Sequence, residues 1–245
     1  MLKALTLGFL LSLLAPGLSV RAIEKPKYNS NIDNQIHFNP PTGGDPPDTS
    51  GAGSRDPDQL RCSPTEEMIK SLMPKTNYGL SLQKHPSIYI YLPQTSAKKV
   101  VLAFQDETEQ YHETVSLPIV TTDNYRFVSF QLPADRPPLT PGKYYKWKLT
   151  VVCKEIPDVE DPTLEGWVKH VELSSVNNQL GKDVVAQAQW YAQNGYWYDL
   201  LAVLDQAVRT NPENTRLASL WHNLLKNNVD LKESNRGRVD QNEGR

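Results

Sequence analysis

Several groups of residues have the types and spacing that chemistry could use. Asp106, Glu107 and Glu109 crowd one stretch and Asp158, Glu160 and Asp161 another, so each could offer oxygen ligands to calcium. Neither has the alternating acidic pattern of an EF-hand loop, and acidic residues are ordinary in exposed turns, so both read as solvated loops. The histidines give no stronger signal. His85 precedes a proline, His112 and His170 fall on expected outer strand faces, and His222 lies on a helical stretch. No H-E-x-x-H, G-x-S-x-G or Cys–His arrangement accompanies them. A hydrolase would need a dispersed site that brings His112 or His170 beside the acidic turns. No catalytic residue, metal ligand or cofactor site is assigned.

Two further groups carry more weight. Cys62 and Cys153 form no C-x-x-C, and no histidine sits at ligand spacing from either, so a structural disulfide is the simplest use of the pair. It would contribute about 4 to 5 kcal/mol by constraining the unfolded chain. The second group is aromatic: Trp190, Tyr191, Tyr196, Trp197 and Tyr198 crowd around Gly195. Such rings can stack on sugars or anchor a protein partner, because each presents a rigid apolar area with one polar tip. The plainer reading, that they pack a helical hairpin against itself and a sheet, is preferred.

The elements that must position these groups follow from composition and period. The chain has 245 residues, 38% hydrophobic, with 26 basic residues against 28 acidic ones. Its net charge of -2 gives no basic excess for counterion-driven binding of nucleic acid. Residues 1–22 carry Lys3, the apolar run Ala4 to Ala15 and small residues around Ala22, the pattern of a secretory signal peptide. The run is too short to span a bilayer, so a soluble exported protein, periplasmic or secreted and without a transmembrane span after cleavage, is expected. Residues 23–61, rich in Pro and Gly, read as a disordered leader. Ser63-Pro64-Thr65-Glu66 reads as a capping box that opens a short helix ending near Met73, before Pro74.

Between residues 62 and 173 the period falls to two. Ile88 to Leu92, Val100 to Phe104, Tyr111 to Leu117, Val128 to Leu132, 143 to 153 and Trp167 to Leu173 alternate apolar and polar, with a further strand near Tyr78 to Leu82. Short antiparallel strands separated by turn signals predict a β-sandwich. Leu139, Pro141 and Tyr145 stand at the spacing of the tyrosine corner of immunoglobulin-like sandwiches. Over 174–231 the period becomes helical. Val176, Leu180, Val184, Ala188 and Ala192 form one stripe; Trp197, Leu200, Leu201, Leu204, Ala207 and Val208 a second; Leu217, Leu220, Trp221, Leu224 and Leu225 a third. The fold class is therefore mainly β with α: an immunoglobulin-like antiparallel sandwich, a helical hairpin and a third helix. Ala188, Tyr191, Gly195, Trp197, Ala207 and Pro212 lie at tetratricopeptide offsets, and a lone repeat must dock on the sandwich or a partner. Tyr89 and Tyr91 are the expected docking face. Residues 232–245 read as a disordered tail.

In order, the chain shows Gly53-Ser54-Arg55, Cys62, Gly79-Leu80-Ser81-Leu82, His85-Pro86 and Tyr91-Leu92-Pro93. Then come Gln105-Asp106-Glu107, Tyr145-x-Trp147, Cys153, Glu165-Gly166-Trp167-Val168 and Gly195-x-Trp197-Tyr198-Asp199. This ordered set resembles a cyanobacterial family of exported proteins catalogued as domain-of-unknown-function family nine-two-eight. The resemblance runs from about Gly51 to Leu225 and implies export and the cysteine pair, with no activity or catalytic residues to carry over. The leading expectation is a non-enzymatic module that binds an envelope or periplasmic protein through the hairpin or a sandwich edge. Its rival is a glycan- or cell-wall-binding module that uses the aromatic cluster.

Overall fold

The computed structural model describes residues 35–42, 46, 62, 67–120, 126–172 and 183–229. The signal-like start, the Ser63–Glu66 capping box, Val176, Leu180 and the tail lie outside the described residues, as does most of the leader. What is described is mainly β, with two sheets and three helices. The strands are β1 (Lys70–Ser71), β2 (Tyr78–Ser81), β3 (Ile88–Tyr91), β4 (Lys99–Asp106), β5 (His112–Pro118), β6 (Phe127–Phe130), β7 (Tyr144–Val152) and β8 (Thr163–His170). They are followed by α1 (Val184–Gln193), α2 (Trp197–Thr210) and α3 (Thr215–Asn228).

One sheet has the order β1-β3-β6 and the other β2-β8-β7-β4-β5. In the larger sheet alternation decides the faces. Val100, Leu102 and Phe104 of β4 and Tyr145, Trp147, Leu149 and Val151 of β7 are buried, and Leu102 pairs with Val115 on one side and Leu149 on the other. These side chains share one core with Ile88, Ile90 and Val128 of the smaller sheet. The phenol of Tyr145 accepts the Thr140 backbone N–H at 2.9 Å, the tie that the Leu-Pro-Tyr spacing predicts. Cys62 and Cys153 are joined in a disulfide across 91 residues.

Four expectations are corrected. Residues 67–73 are not helical: Lys70 and Ser71 pair with Tyr91 and Ile90, and Leu72 N–H bonds the Tyr89 carbonyl at 2.9 Å. The ladder takes the backbone groups a helix would use and buries Ile69, Leu72 and Met73. The sheets are not wholly antiparallel, because β2 runs parallel to β8. The leader is not wholly outside the fold: Ile36 and Phe38 are buried, and Asn39 N–H donates to the Ala192 carbonyl at 2.9 Å. Two apolar residues at alternate positions suffice to seat that short segment. His170, expected on an outer face, is buried with its Nδ1 3.2 Å from the Ser81 carbonyl.

Helices α2 and α3 reach the smaller sheet, and α2 also packs on β2 of the larger one. Strand β3 is buried on both faces, which its Ile-Tyr-Ile-Tyr sequence permits. Tyr89 lies within the electrostatic reach of Asp205 and Arg209 of α2. Arg209 Nη2 donates to the Phe127 carbonyl at 2.8 Å, and the Phe127 ring meets both Tyr91 and Trp221 of α3 edge-on. Tyr89 and Tyr91 thus face the helical layer. No helix among the described residues is long and apolar enough to cross a membrane.

Candidate functional site

The aromatic cluster sits where α1 hands over to α2. Asp183 caps α1 by accepting the Ala186 N–H at 2.8 Å, and the helix buries only Ala188 and Ala192. Asn194 closes it, and Gly195 takes the left-handed conformation at φ 79°, which reverses the chain cheaply. A side chain there would also strike Pro41, whose Cγ would lie 2.9 Å from the added Cβ. Two residues later α2 begins at Trp197.

This turn divides the five aromatics into two sets. Trp197 and Tyr198 are core. The Trp197 indole donates to the Leu72 carbonyl at 2.7 Å, and its ring meets Phe38 edge-on at 4.7 Å. Tyr198 accepts from the Trp147 indole at 2.7 Å and donates to the Trp167 carbonyl at 2.9 Å, so every polar atom of that buried chain is engaged. Trp190, Tyr191 and Tyr196 are half-buried and face outward. Trp190 stacks on Tyr196 with centroids 5.3 Å apart and planes 11° from parallel, and Tyr191 stands edge-on to both. No described residue hydrogen-bonds the Trp190 indole or the Tyr191 and Tyr196 hydroxyls. Three polar tips thus lie on one rigid aromatic cluster.

Beneath the patch lies Asp199, the third residue of α2. Its carboxylate accepts the Leu82 N–H at 2.9 Å, with further hydrogen bonds from Ser81 and Gln83. Burial pushes its carboxyl up to about 6 against those bonds. Burial, and then the charge of Asp199, raise the hydroxyls of Tyr191 and Tyr196 above their ordinary value. Asp199 entered the sequence reading only within an ordered motif. The signal that could have singled it out is an acid in the first turn of a predicted helix, where the N-terminal dipole favours it.

The other candidates serve the fold. Asp106 is buried and accepts from Thr108 Oγ1, the Gln110 and Tyr111 N–H groups and Lys143 Nζ. Burial would raise its carboxyl, but the Lys143 ammonium and these donors hold it below the carboxylate range. Asp161 accepts the Cys153 and Asp158 N–H groups. Strand alternation turns Asp106 toward the core and His112, paired opposite Gln105, toward solvent, so the two do not meet. Among the described residues no three His, Cys, Asp or Glu side chains converge as a metal site.

The fold and patch define a two-sheet β protein with a C-terminal helical layer that presents aromatic rings. The chain belongs to the family Domain of Unknown Function (DUF928), whose model matches residues 50–237. No curated protein matches it. Among solved structures it is similar to the fn3 domain of human collagen alpha-1(XX) chain, at 12% identity and a TM-score of 0.28, over 52% of this chain and 93% of that one.

Proposed function

We propose that the protein is a non-enzymatic, exported interaction module of the cell envelope, an immunoglobulin-like sandwich that presents a helical pair to a protein partner. The pair is tetratricopeptide-like in its sequence offsets. The observation that carries the reading is the outward set Trp190, Tyr191 and Tyr196, whose polar tips are engaged by no described residue. Aromatic residues with polar tips dominate protein-binding hot spots, where they bury area at little cost in side-chain entropy. Export is supported by the signal-like start and by the Cys62–Cys153 disulfide, a bond that persists in oxidising compartments.

The test compares the native chain with Trp190→Ala/Tyr196→Ala, both immobilised and exposed to envelope extract. The variant should keep its melting temperature within a few degrees and lose at least tenfold of a retained protein. Equal retention by both would count against the surface. A flat Trp190–Tyr196 stack also suits the apolar face of a sugar, so binding on a glycan array that the same variant abolishes would favour the glycan-binding alternative.

A further inference from the structure

Each sheet ends in two edge strands, and the four edges are not equally guarded. Strand β1 offers only Lys70 and Ser71. Strand β2 is capped by the α1–α2 turn, where the Leu80 N–H donates to the Gly195 carbonyl at 2.9 Å, and just beyond it by Asp199 at the Leu82 N–H. On β6 the Phe127 carbonyl accepts Arg209 Nη2 at 2.8 Å. Strand β5 ends the order β2-β8-β7-β4-β5 and runs for seven residues, His112–Pro118. Among the described residues nothing caps its outer backbone groups. An uncapped edge of this length is a template for another strand.

The ladder to β4 shows which groups are left over. Ile119 N–H bonds the Lys98 carbonyl at 2.9 Å and Asp106 N–H bonds the Tyr111 carbonyl at 3.1 Å, so the odd-numbered residues of β5 are those bonded to β4. The N–H and C=O of His112, Thr114 and Ser116, and the C=O of Pro118, therefore point away from the sheet. The pairing with β4 runs unbroken from Lys99 and Pro118 to Gln105 and His112, so no bulge twists this edge aside. The strand has no lysine or arginine, and its proline stands at the very end. The usual devices that keep edges apart are missing here.

A strand that extends the sheet must set inward residues against inward ones, and β5 does so with itself. Two copies run antiparallel about Val115 align Thr114 with Ser116, Glu113 with Leu117 and His112 with Pro118, over the whole strand. Thr114 and Ser116 then exchange hydrogen bonds reciprocally, and His112 N–H meets the Pro118 carbonyl, so proline falls where no donor is required. Glu113, already paired with Arg136 at 3.6 Å, faces Leu117, whereas a register centred on Glu113 would oppose two carboxylates. Buried Val115 meets its own copy on the core side. We propose that the protein forms a reversible two-fold dimer through β5, joining two five-stranded sheets into one. A single edge pairing buries less than a standard permanent interface, so the dimer dissociates on dilution. This contact lies on different elements from the Trp190 patch and stands without it.

The experiment combines sedimentation equilibrium with amide hydrogen exchange on the purified, oxidised full chain across a concentration series. The mass should pass from one chain to two, and the amides of His112, Thr114 and Ser116 should gain protection over the same range, while those of Glu113, Val115 and Leu117 are protected throughout. Thr114→Pro removes an outward N–H that β4 does not use, a place where an edge strand tolerates proline, and should weaken the dimer by about tenfold or more. Thr114→Lys/Ser116→Lys, which sets lysines opposite one another across the two-fold, should do the same and decides the matter if the proline variant misfolds. A monomer at every concentration would overturn the proposal. So would a dimer indifferent to the lysine variant, or full protection of the Thr114 and Ser116 amides in the monomer.

Discussion

Asp199→Asn tests the electrostatics at the join between the helical layer and the sheets. The Asp199 carboxyl is 4% exposed and titrates at about 6 in the folded chain, against an ordinary 3.8. A difference of about two pKa units corresponds to about 3 kcal/mol of linked stability. The folded chain holds this proton more tightly than the unfolded one, so the contribution is complete below about pH 4 and is lost as pH rises through 6. Asparagine keeps the shape and an acceptor for the Leu82 N–H but does not titrate. The unfolding free energy of the native chain minus that of the variant should therefore rise by about 3 kcal/mol between pH 7 and pH 4, mostly between 6 and 4. Denaturant unfolding of the oxidised proteins at pH 4, 5, 6 and 7 measures it. The subtraction cancels the other titrating groups, including Asp106, whose lowered carboxyl acts with the opposite sign at more acid pH. Parallel profiles, or a difference that grows toward neutral pH, would refute the burial argument.

Two further outcomes test packing. Gly79→Ala places a Cβ 2.5 Å from the Cβ of Trp197, and both atoms are fixed to backbone, so α2 must lift from β2. A loss of about 1 to 3 kcal/mol, seen as a melting temperature several degrees lower, is expected, and an unchanged melting temperature would contradict the close approach. Reduction of the Cys62–Cys153 bond, which spans 91 residues, should cost about 4 to 5 kcal/mol, read as a lower guanidinium midpoint with reductant than without. Equal midpoints would show that the bond does not constrain the unfolded chain.

The larger sheet was legible because one of its faces is apolar. Strands β4 and β7 alternate without interruption, and Tyr145 announces its own corner, so period and motif converge on the same element. Where both faces are covered the period carries less. Strand β3 is buried throughout, and only its Tyr-Ile alternation hinted that two different layers meet there. Residues 67–73 misled for a different reason. Their capping-box start is a local signal worth about 1 kcal/mol, whereas seating Ile69, Leu72 and Met73 in the core is worth several, so the tertiary term wins. The parallel pairing of β2 with β8 has no local signal, because its partners are 89 residues apart, as Ser81 and His170 show.

The division of the aromatics follows from helical phase. In α1 the inward positions are Ala188 and Ala192, four apart, and their small size lets the helix approach α2 closely. Trp190, two residues from each, must then point away, and Tyr191 lies at the rim. In α2 the inward stripe begins at Trp197, which leaves Tyr196 before the helix and free to stack on Trp190. The stripes of the sequence already contained this phase, so a surface role for Trp190 and Tyr196 and a core role for Trp197 were separable in advance. Tyr198 was not separable: it lies off the stripe and is buried because the Trp147 indole and the Trp167 carbonyl, both from the far sheet, converge on its hydroxyl. The outward rings thus come from α1 and the turn, while Trp197 and Tyr198 of α2 anchor the layer on the sheets. The fold of the helical layer should therefore survive truncation of Trp190 and Tyr196 but not of Trp197, whose indole is hydrogen-bonded to Leu72.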